Sequence, residues 1–194
     1  VTSNEIKRYI NKKYFINLNK IKVIPNAINL NNFKNLKLRK YRNRAVTISR
    51  LEKQKNLLSL LNICKLSNLN LDIIGTGTQL NEIKKFAKRI SLDVRFLGQI
   101  ENNEIPNFLS RYKFYITSSK IEGSPKAIME AMSAELPVFG LKARGLNYLV
   151  KNGKTGYLYS SINSLSKKII KLKNNQKILK NLGLNARNLI NKKF

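Results

Sequence analysis

The sequence predicts a doubly wound α/β domain, Rossmann-like, with a parallel sheet covered by helices on both faces. Short apolar segments alternate along the chain with amphipathic segments of about 10–15 residues, the pattern of repeated strand–helix units. The apolar segments are continuous rather than alternating, as expected of strands that are buried on both faces. A chain of 194 residues is long enough for one such domain.

The regular pattern begins at Ala45 and continues to the end of the chain. The predicted strands cover residues 45–48, 69–74, 94–97 and 114–117, a strand opening at 137–139, and residues 157–159. The predicted helices cover residues 56–66, 79–90 and 102–111, a helix opening at 125, and residues 162–173 and 176–191.

The first 44 residues are less regular. Ser3 is placed to cap a helix over residues 4–13, whose apolar side chains fall on one face. A short strand is predicted over residues 21–24, before Pro25. Residues 26–44 are polar and basic, and we expect a long surface connection that Phe33 anchors.

The chain is strongly basic, with 38 Lys and Arg against 10 Asp and Glu and a net charge of +28. Nucleic acid, an anionic membrane surface and a phosphorylated ligand are all partners that such a charge attracts. Lysine is spread along most of the chain together with abundant Asn and Ile, which favours a compositional bias over a patch for nucleic acid. We still expect the protein to stay near anionic surfaces at low salt.

Missing residue types exclude several chemistries. The chain has no histidine, so Ser–His and Cys–His catalysis are excluded, and Cys64 alone can form neither a disulfide within the chain nor a zinc site. The only aspartates, Asp72 and Asp93, are too far apart in sequence to form the D-x-D pair that holds a metal on a diphosphate. We therefore expect no metal and no cofactor.

Targeting signals are also missing from the sequence. No apolar run is long enough to cross a membrane, and no signal-peptide pattern opens the chain. Nothing indicates an oxidising compartment, so a cytoplasmic location is expected. The first residue is Val1 rather than Met, and we expect a fragment or a processed chain.

Residues 112–140 form a predicted strand–loop–helix–strand unit. Ser124 is predicted to cap the helix and Pro125 to take its first position, where the missing N–H costs nothing. Ligands of such folds bind beyond the carboxyl ends of the strands, and free N–H groups at a helix start attract anions. The loop 118–126 is therefore predicted to bind a phosphate-bearing ligand.

Charged side chains near the predicted strand ends are candidates for contact with that ligand. Glu122 would project into the crevice, and Glu130 could accept hydrogen bonds from paired sugar hydroxyls; a helix-terminal acid and a surface residue are the alternatives. Arg50, Lys55 and Lys126 would meet the charge of a diphosphate. In so basic a chain, the spacing of Arg50 and Lys55 alone favours ordinary surface charge.

The segment Gly75-Thr76-Gly77 follows a predicted strand and precedes a predicted helix. It has the start of a dinucleotide-binding fingerprint but lacks the third glycine, and a tight strand-to-helix turn is the alternative. The incomplete fingerprint disfavours a nicotinamide-dependent oxidoreductase.

Together these motifs resemble the C-terminal, donor-binding half of a GT-B glycosyltransferase, of the retaining family-4 (group 1) type. The segments that carry the resemblance follow the family's order and spacing from about residue 20 to about residue 160. They are V-I-P-N-A-I (23–28), S-R-L-E-K-Q-K-N (49–56), I-I-G-T-G (73–77), V-R-F-L-G (94–98), E-G-S-P-K-A-I-M-E-A-M (122–132), L-P-V (136–138) and N-G-K-T-G-Y-L (152–158).

The resemblance implies a role for each matching position. Arg50 and Lys55 would hold the diphosphate of the donor, Glu122 would hold its sugar, and Glu130 would bind the ribose hydroxyls. The backbone of Gly123, Ser124, Pro125 and Lys126 would hold the sugar together with Glu122, and the helix start would support the phosphates. Three glycines would serve the nucleotide: Gly75 and Gly77 by shaping its pocket, and Gly98 by preceding the backbone that meets the base.

The implied activity is transfer of a sugar, a hexose in the commonest case, from a nucleotide diphosphate to an acceptor, with retention of configuration and without an essential metal. The acceptor would be a glycan or a lipid-linked glycan in polysaccharide or glycolipid synthesis. The basic surface suits contact with the anionic inner face of a membrane. A non-catalytic basic module that binds nucleic acid or an anionic membrane surface is the alternative function.

The resemblance also implies a division of the chain. Residues 20–194 would form the nucleotide-sugar binding domain, and residues 1–19 would be a remnant of, or a linker from, an N-terminal acceptor domain. Donor binding is then expected of this chain, and turnover of the complete enzyme.

Four positions depart from the family's pattern. Ala27 and Ser49 stand where the family often has glycine, Glu135 replaces a usual glycine before L-P-V, and Tyr148 takes the place of a common glutamate. We expect these changes to alter local loop shape more than donor binding.

Overall fold

The structure is a computed structural model that describes residues 1–24, 26–34, 36, 44–123 and 125–193, without the side chain of Glu5. Its described residues form a six-stranded parallel sheet in the order β3-β2-β1-β4-β5-β6. The strands are β1 (Arg44–Ile48), β2 (Asn70–Ile74), β3 (Val94–Phe96), β4 (Tyr115–Thr117), β5 (Val138–Leu141) and β6 (Gly156–Tyr159). The doubly wound α/β prediction is confirmed.

Helices cover both faces of the sheet, as the continuous apolar strands predict. They are α1 (Asn4–Tyr14), α2 (Leu57–Leu66), α3 (Leu80–Arg89), α4 (Ile105–Leu109), α5 (Lys126–Ser133), α6 (Ile162–Leu172) and α7 (Gln176–Lys193). Short 3₁₀ turns lie at Leu18–Lys20, Leu30–Phe33 and Lys53–Lys55. Most predicted boundaries agree with these within one to three residues.

Each face of the sheet has its own apolar core. Leu109 of α4, Met129 of α5 and Ile190 of α7 are buried on one face, where Phe33 also packs as predicted. Leu61 of α2, Ile83 of α3 and Ile169 of α6 are buried on the other. Cys64 is fully buried in this second core, as expected of a small structural side chain. Its burial raises the pKa of the thiol to about 12.

The sheet reverses its winding between β1 and β4. Five residue pairs join β1 to β2, but β1 and β4 are joined by the single pair Val46 and Tyr115. The two central strands therefore diverge towards their carboxyl ends. Ligands of open α/β sheets bind at this reversal of strand order, because the loops that follow the two strands turn to opposite sides.

An ion cluster at the other end of these strands uses both aspartates of the chain. Asp72 is fully buried and accepts hydrogen bonds from the Arg44 guanidinium and, at 2.6 Å, from the hydroxyl of Tyr112. The same guanidinium contacts Asp93 and lowers the pKa of that carboxyl. A buried carboxylate must be paired in this way, so Asp72 has a structural role, and Asp93 joins the cluster from an exposed position.

Three predictions for the helices and strands need correction. Residues 21–24 form no strand, because Ile24 donates its N–H to the Val1 carbonyl (2.7 Å) instead of pairing with the sheet. The fourth helix covers only Ile105–Leu109 rather than 102–111. Helix α5 begins at Lys126, and Pro125 is its N-cap rather than its first helical residue, with ψ of 87°. Ser124 lies outside the described residues.

The Ser3 cap behaves as the sequence predicts, whereas Glu135 does not change the shape of its turn as expected. Ser3 caps α1, and its hydroxyl accepts the N–H of Ile6 at 3.2 Å. Glu135, which stands where the family usually has glycine, keeps the left-handed backbone conformation that glycine favours, with φ of 61°. Its carboxylate binds Arg187 of α7 at 2.8 Å, which helps to hold this turn.

Candidate functional site

A cleft of about 620 Å³ opens at the carboxyl ends of β1, β2 and β4, where the strand order reverses. Its walls come from segments that are distant in sequence: residues 47–50 after β1, 74–76 after β2, 99–102 after β3, 117–119 after β4, and the start of α5. The cleft thus lies where the strand pattern predicts a ligand.

Most of the predicted site residues line this cleft. They are Arg50, Lys55, Gly75, Glu122, Pro125, Lys126 and Glu130. Gly77, Gly98 and Gly123 are outside its lining and belong to the loops that support it. Ser124 lies outside the described residues, so its predicted role stays a prediction.

Lys55 and Glu122 form an ion pair across the cleft, with 2.6 Å between the Lys55 ammonium and a carboxylate oxygen of Glu122. The two side chains are only 17% and 12% exposed, so water screens the pair weakly. The pair joins the loop after β1 to the loop after β4. The structure therefore places one predicted cation and one predicted anion in direct contact.

Backbone hydrogen bonds hold these two loops together. The Ser118 hydroxyl lies 2.9 Å from the carbonyls of both Lys55 and Asn56, and the N–H of Lys120 donates to the Gln54 carbonyl at 3.0 Å. Asn56 adopts a left-handed conformation, which ends the 3₁₀ turn and starts α2. The position of Lys55 is therefore fixed by its backbone as well as by Glu122.

Glu130 lies in the second turn of α5, and its side chain is 12% exposed. Burial raises the pKa of this carboxyl above its ordinary value of 4.5, and Lys126, 3.7 Å away, opposes the shift in part. An ionised carboxylate has two oxygens that only accept hydrogen bonds, so it suits a ligand with adjacent hydroxyl donors.

Tyr115 forms the floor of the cleft, and sequence reasoning missed it. Its hydroxyl donates to the Ile48 carbonyl at 2.9 Å and accepts the Ile48 N–H at 3.1 Å. It thereby satisfies the backbone of β1 where β4 has diverged too far to do so. Burial raises the pKa of this phenol, which therefore stays protonated at neutral pH. The available signal was a tyrosine in a short, mostly apolar strand.

Two glycines allow the loop after β2 to approach the loop after β1. A Cβ on Gly75 would lie 2.1 Å from the Ser49 carbonyl oxygen, and Gly75 has a φ of 126°. A Cβ on Gly77 would lie 2.6 Å from the Leu51 backbone. The N–H of Gly75 donates to the Gly98 carbonyl at 2.6 Å. The G-T-G segment is thus a tight turn that also shapes one wall of the cleft.

Within residues 1–24, 26–34, 36, 44–123 and 125–193, no three His, Cys, Asp or Glu side chains come close enough together to hold a metal ion. Over the same residues, no helix is both long and apolar enough to span a membrane.

A doubly wound parallel sheet with a charged cleft at its reversal of strand order defines a Rossmann-like α/β domain with its ligand-binding crevice at the expected place. The family described as glycosyl transferases group 1 matches residues 29–189. The chain therefore belongs to the group 1 glycosyltransferases, and its fold is that of one Rossmann-like half of the GT-B architecture.

Individual relatives agree with this family. The chain is 31% identical over 208 residues to the UDP-Gal:alpha-D-GlcNAc-diphosphoundecaprenol alpha-1,3-galactosyltransferase of Escherichia coli, covering 96% of this chain and 54% of that protein. The chain thus spans about half the length of this curated relative.

Solved structures share the fold. TarM of S. aureus, in a complex with fondaparinux, alpha-GlcNAc-glycerol and UDP, is similar over 100% of this chain and 40% of its own, with a TM-score of 0.89 and 23% identity. The C-terminal domain of the group 1 protein LpcC from Francisella tularensis covers 79% of this chain and 87% of its own, with a TM-score of 0.68 and 22% identity.

The raised pKa of Glu130 predicts a pH-dependent cost in stability. The folded state holds its proton to higher pH than the unfolded state, so the free energy of unfolding falls as pH rises from about 4.5 through the folded pKa. Glu130→Gln removes this pH-dependent loss of stability, because glutamine does not ionise. In urea denaturation between about pH 4 and pH 8, the variant should gain stability relative to the parent as pH rises. Glu104→Gln, which removes an exposed carboxylate, gives the baseline. A stability difference that does not change with pH would contradict the burial effect.

Proposed function

We propose that this chain is the donor-binding domain of a glycosyltransferase that transfers a sugar from a uridine diphosphate sugar to an acceptor. The observation that carries the proposal is the arrangement of Lys55, Glu122 and Glu130 around one cleft at the reversal of strand order. Family membership supports transfer of a glycosyl group. A UDP-linked donor is supported by the Escherichia coli relative, named for UDP-Gal, and by the UDP in the TarM complex.

The diphosphate has two sources of positive charge in this cleft. Arg50, Lys55 and Lys126 line it as cationic side chains. The first N–H groups of α5 have no preceding turn to bond to, and Lys126 and Ala127 at that helix start also line the cleft. We expect the phosphates to lie between the helix start and the loop after β1.

The two glutamates divide the rest of the donor between them. Glu130 lies one turn beyond the helix start, which suits hydrogen bonds from the two ribose hydroxyls. Glu122 lies in the loop after β4, beside Lys55, where it would accept hydrogen bonds from the sugar that is transferred. In this arrangement the Lys55 ammonium contacts the donor close to the bond that breaks.

The chemical contribution of this half of the site would be charge stabilisation. When the bond between the sugar and the diphosphate breaks, negative charge develops on the departing phosphate oxygen. Lys55 and Arg50 would stabilise that charge from fixed positions, as cations do in phosphoryl transfer. We propose that these side chains serve in place of a metal ion, and that the sugar leaves and attaches on one face, with retention of configuration.

The acceptor belongs to the proposal for the whole enzyme. The Escherichia coli relative is named for a GlcNAc-diphosphoundecaprenol acceptor, a lipid-linked glycan. We propose a glycan or lipid-linked glycan acceptor for the complete protein, in polysaccharide or glycolipid synthesis. The alternative of a non-catalytic module for nucleic acid finds no support in the comparisons.

A lipid-linked acceptor implies work at a membrane, and one surface suits it. The α1 tip, residues 12–20, exposes the large apolar side chains Tyr14 (58%), Phe15 (90%), Ile16 (41%) and Leu18 (40%). The lysines of the tip, Lys12, Lys13 and Lys20, are exposed as well. No carboxylate side chain occurs between Glu5 and Glu52. Aromatic and aliphatic side chains among lysines match the interface of an anionic bilayer, and we propose contact with the cytoplasmic face.

Donor binding can be measured on this chain by titration calorimetry and by thermal shift. UDP and UDP-galactose should bind and raise the Tm, because a ligand that binds only the folded state stabilises it. Glu130→Gln should weaken both ligands about tenfold or more, since it removes charge-assisted hydrogen bonds of about 1.5–3 kcal/mol. Glu104→Gln, at an exposed position outside the cleft, should bind as the parent does. The proposal would be refuted if UDP, GDP, ADP and their sugars produced no binding heat and no Tm shift.

Membrane contact can be measured with a single fluorescent reporter, because the chain has no tryptophan. Phe15→Trp should show a blue-shifted emission when vesicles of phosphatidylglycerol and phosphatidylcholine are added at low salt. Vesicles of phosphatidylcholine alone should cause a smaller shift. Ile170→Trp, at a 50% exposed position on α6, should show none because α6 is outside the tip. Equal shifts at both positions, or none at Phe15→Trp, would contradict contact through the α1 tip.

A further inference from the structure

Helix α1 packs behind the loop that carries Glu122, although it is far from that loop in sequence. An ideal Cβ built on Gly123 would lie 2.8 Å from the Ile6 Cδ1 and 2.9 Å from the Thr2 Oγ1. Both distances are shorter than real Cβ contacts. Gly123 therefore packs against the side-chain ends of Thr2 and Ile6, which a Cβ at position 123 would displace. Its φ lies outside the left-handed range, so its backbone conformation does not itself require glycine.

The backbone of Glu122 is held from a second direction by residues 144–145. The N–H of Glu122 donates to the Arg144 carbonyl at 2.9 Å. A Cβ on Gly145 would lie 1.7 Å from the Glu122 carbonyl oxygen, so these two segments are also in contact. The Arg144 guanidinium lies 5.5 Å from the centroid of the Tyr9 ring, a cation–π distance. Helix α1 thus contacts the Glu122 loop at Gly123, and it also contacts Arg144, in the segment that holds the Glu122 backbone.

The side chain of Glu122 faces the cleft and binds Lys55, while its backbone is held by these contacts. A displacement of α1 would move Gly123 and, with it, the carboxylate of Glu122. Glu130 lies on α5, whose burial in the core depends on Met129 and Met132 rather than on α1. The sugar-binding and ribose-binding carboxylates therefore have separate supports.

We infer that α1 and the residues just before it position Glu122 for the sugar of the donor, with Thr2 and Ile6 as the positioning residues. This inference rests on the proposed function, since it assigns the sugar to Glu122. The inference predicts different effects on two ligands. Disturbing the contact between α1 and Gly123 should weaken binding of a nucleotide sugar while leaving binding of the bare nucleotide almost unchanged.

Gly123→Ala tests this inference, because the new methyl group would push α1 and the loop apart. We expect about tenfold weaker binding of UDP-galactose, with UDP affinity within about twofold of the parent. The combination Thr2→Ala and Ile6→Val deletes the Oγ1 and Cδ1 atoms that the methyl group would meet. Adding these two changes to Gly123→Ala should return UDP-galactose affinity to within about threefold of the parent. The double variant without Gly123→Ala is the matched control.

Each outcome decides the inference. Equal losses for UDP and UDP-galactose, or no recovery in the triple variant, would overturn it, because the methyl group would then act on the site directly. Amide hydrogen exchange of residues 118–126 gives a reading without ligand: exchange should speed up in Gly123→Ala and slow again in the triple variant. If the parent binds no nucleotide, the proposed function fails, and the exchange rates still report whether α1 holds the loop.

Discussion

The divergence of β1 and β4 is the constraint on which the rest of the site depends. A single residue pair joins the two strands, and beyond it the backbone of Ile48 would lose its partners. The Tyr115 hydroxyl supplies both missing hydrogen bonds, at 2.9 and 3.1 Å. A buried, unpaired peptide group costs about 1–3 kcal/mol. The two hydrogen bonds of the Tyr115 hydroxyl avoid this loss of stability where the strands separate. The cleft exists because the two strands separate here and the Tyr115 hydroxyl bonds the backbone groups of Ile48 that β4 does not reach.

The charges of the cleft follow from how its loops are tied together. Ser118 holds the backbone around Lys55, and Lys55 in turn holds Glu122. Close backbone approach at Gly75, beside Ser49, and at Gly145, beside Glu122, lets loops from distant parts of the chain meet. Glu130 is supported separately, by the packing of α5. One cleft therefore combines a neutralised cation–anion pair with a carboxylate whose pKa is raised by burial.

Much of the fold could be predicted because parallel strands and amphipathic helices have local sequence patterns. Ser3 as a helix cap and the strand positions are examples that need no tertiary information. The strand predicted at 21–24 failed because pairing is decided elsewhere: Ile24 bonds to Val1 rather than to the sheet. Helix α5 begins one residue later than predicted, because Pro125 takes a non-helical ψ of 87° that local preference does not fix.

The candidate site was predictable in its residue types but not in its contacts. Arg50, Lys55 and Glu122 lie in loops that follow β1 and β4, and Glu130 lies one turn into α5, beside the crevice where ligands of this fold bind. The pairing of Lys55 with Glu122 spans 67 positions, and no spacing rule reaches that far. The contact between Gly123 and α1 was equally hidden, because a glycine in sequence does not reveal what lies beside it.

The most direct measurement of the central claim is a crystal structure of this chain with UDP-galactose. The account predicts the nucleotide in the cleft between β1 and β4, with both ribose hydroxyls within hydrogen-bond distance of the Glu130 carboxylate, about 2.6–3.2 Å. It also predicts the diphosphate at the start of α5, beside Lys55. A donor bound elsewhere on the sheet, or a ribose that does not contact Glu130, would contradict it.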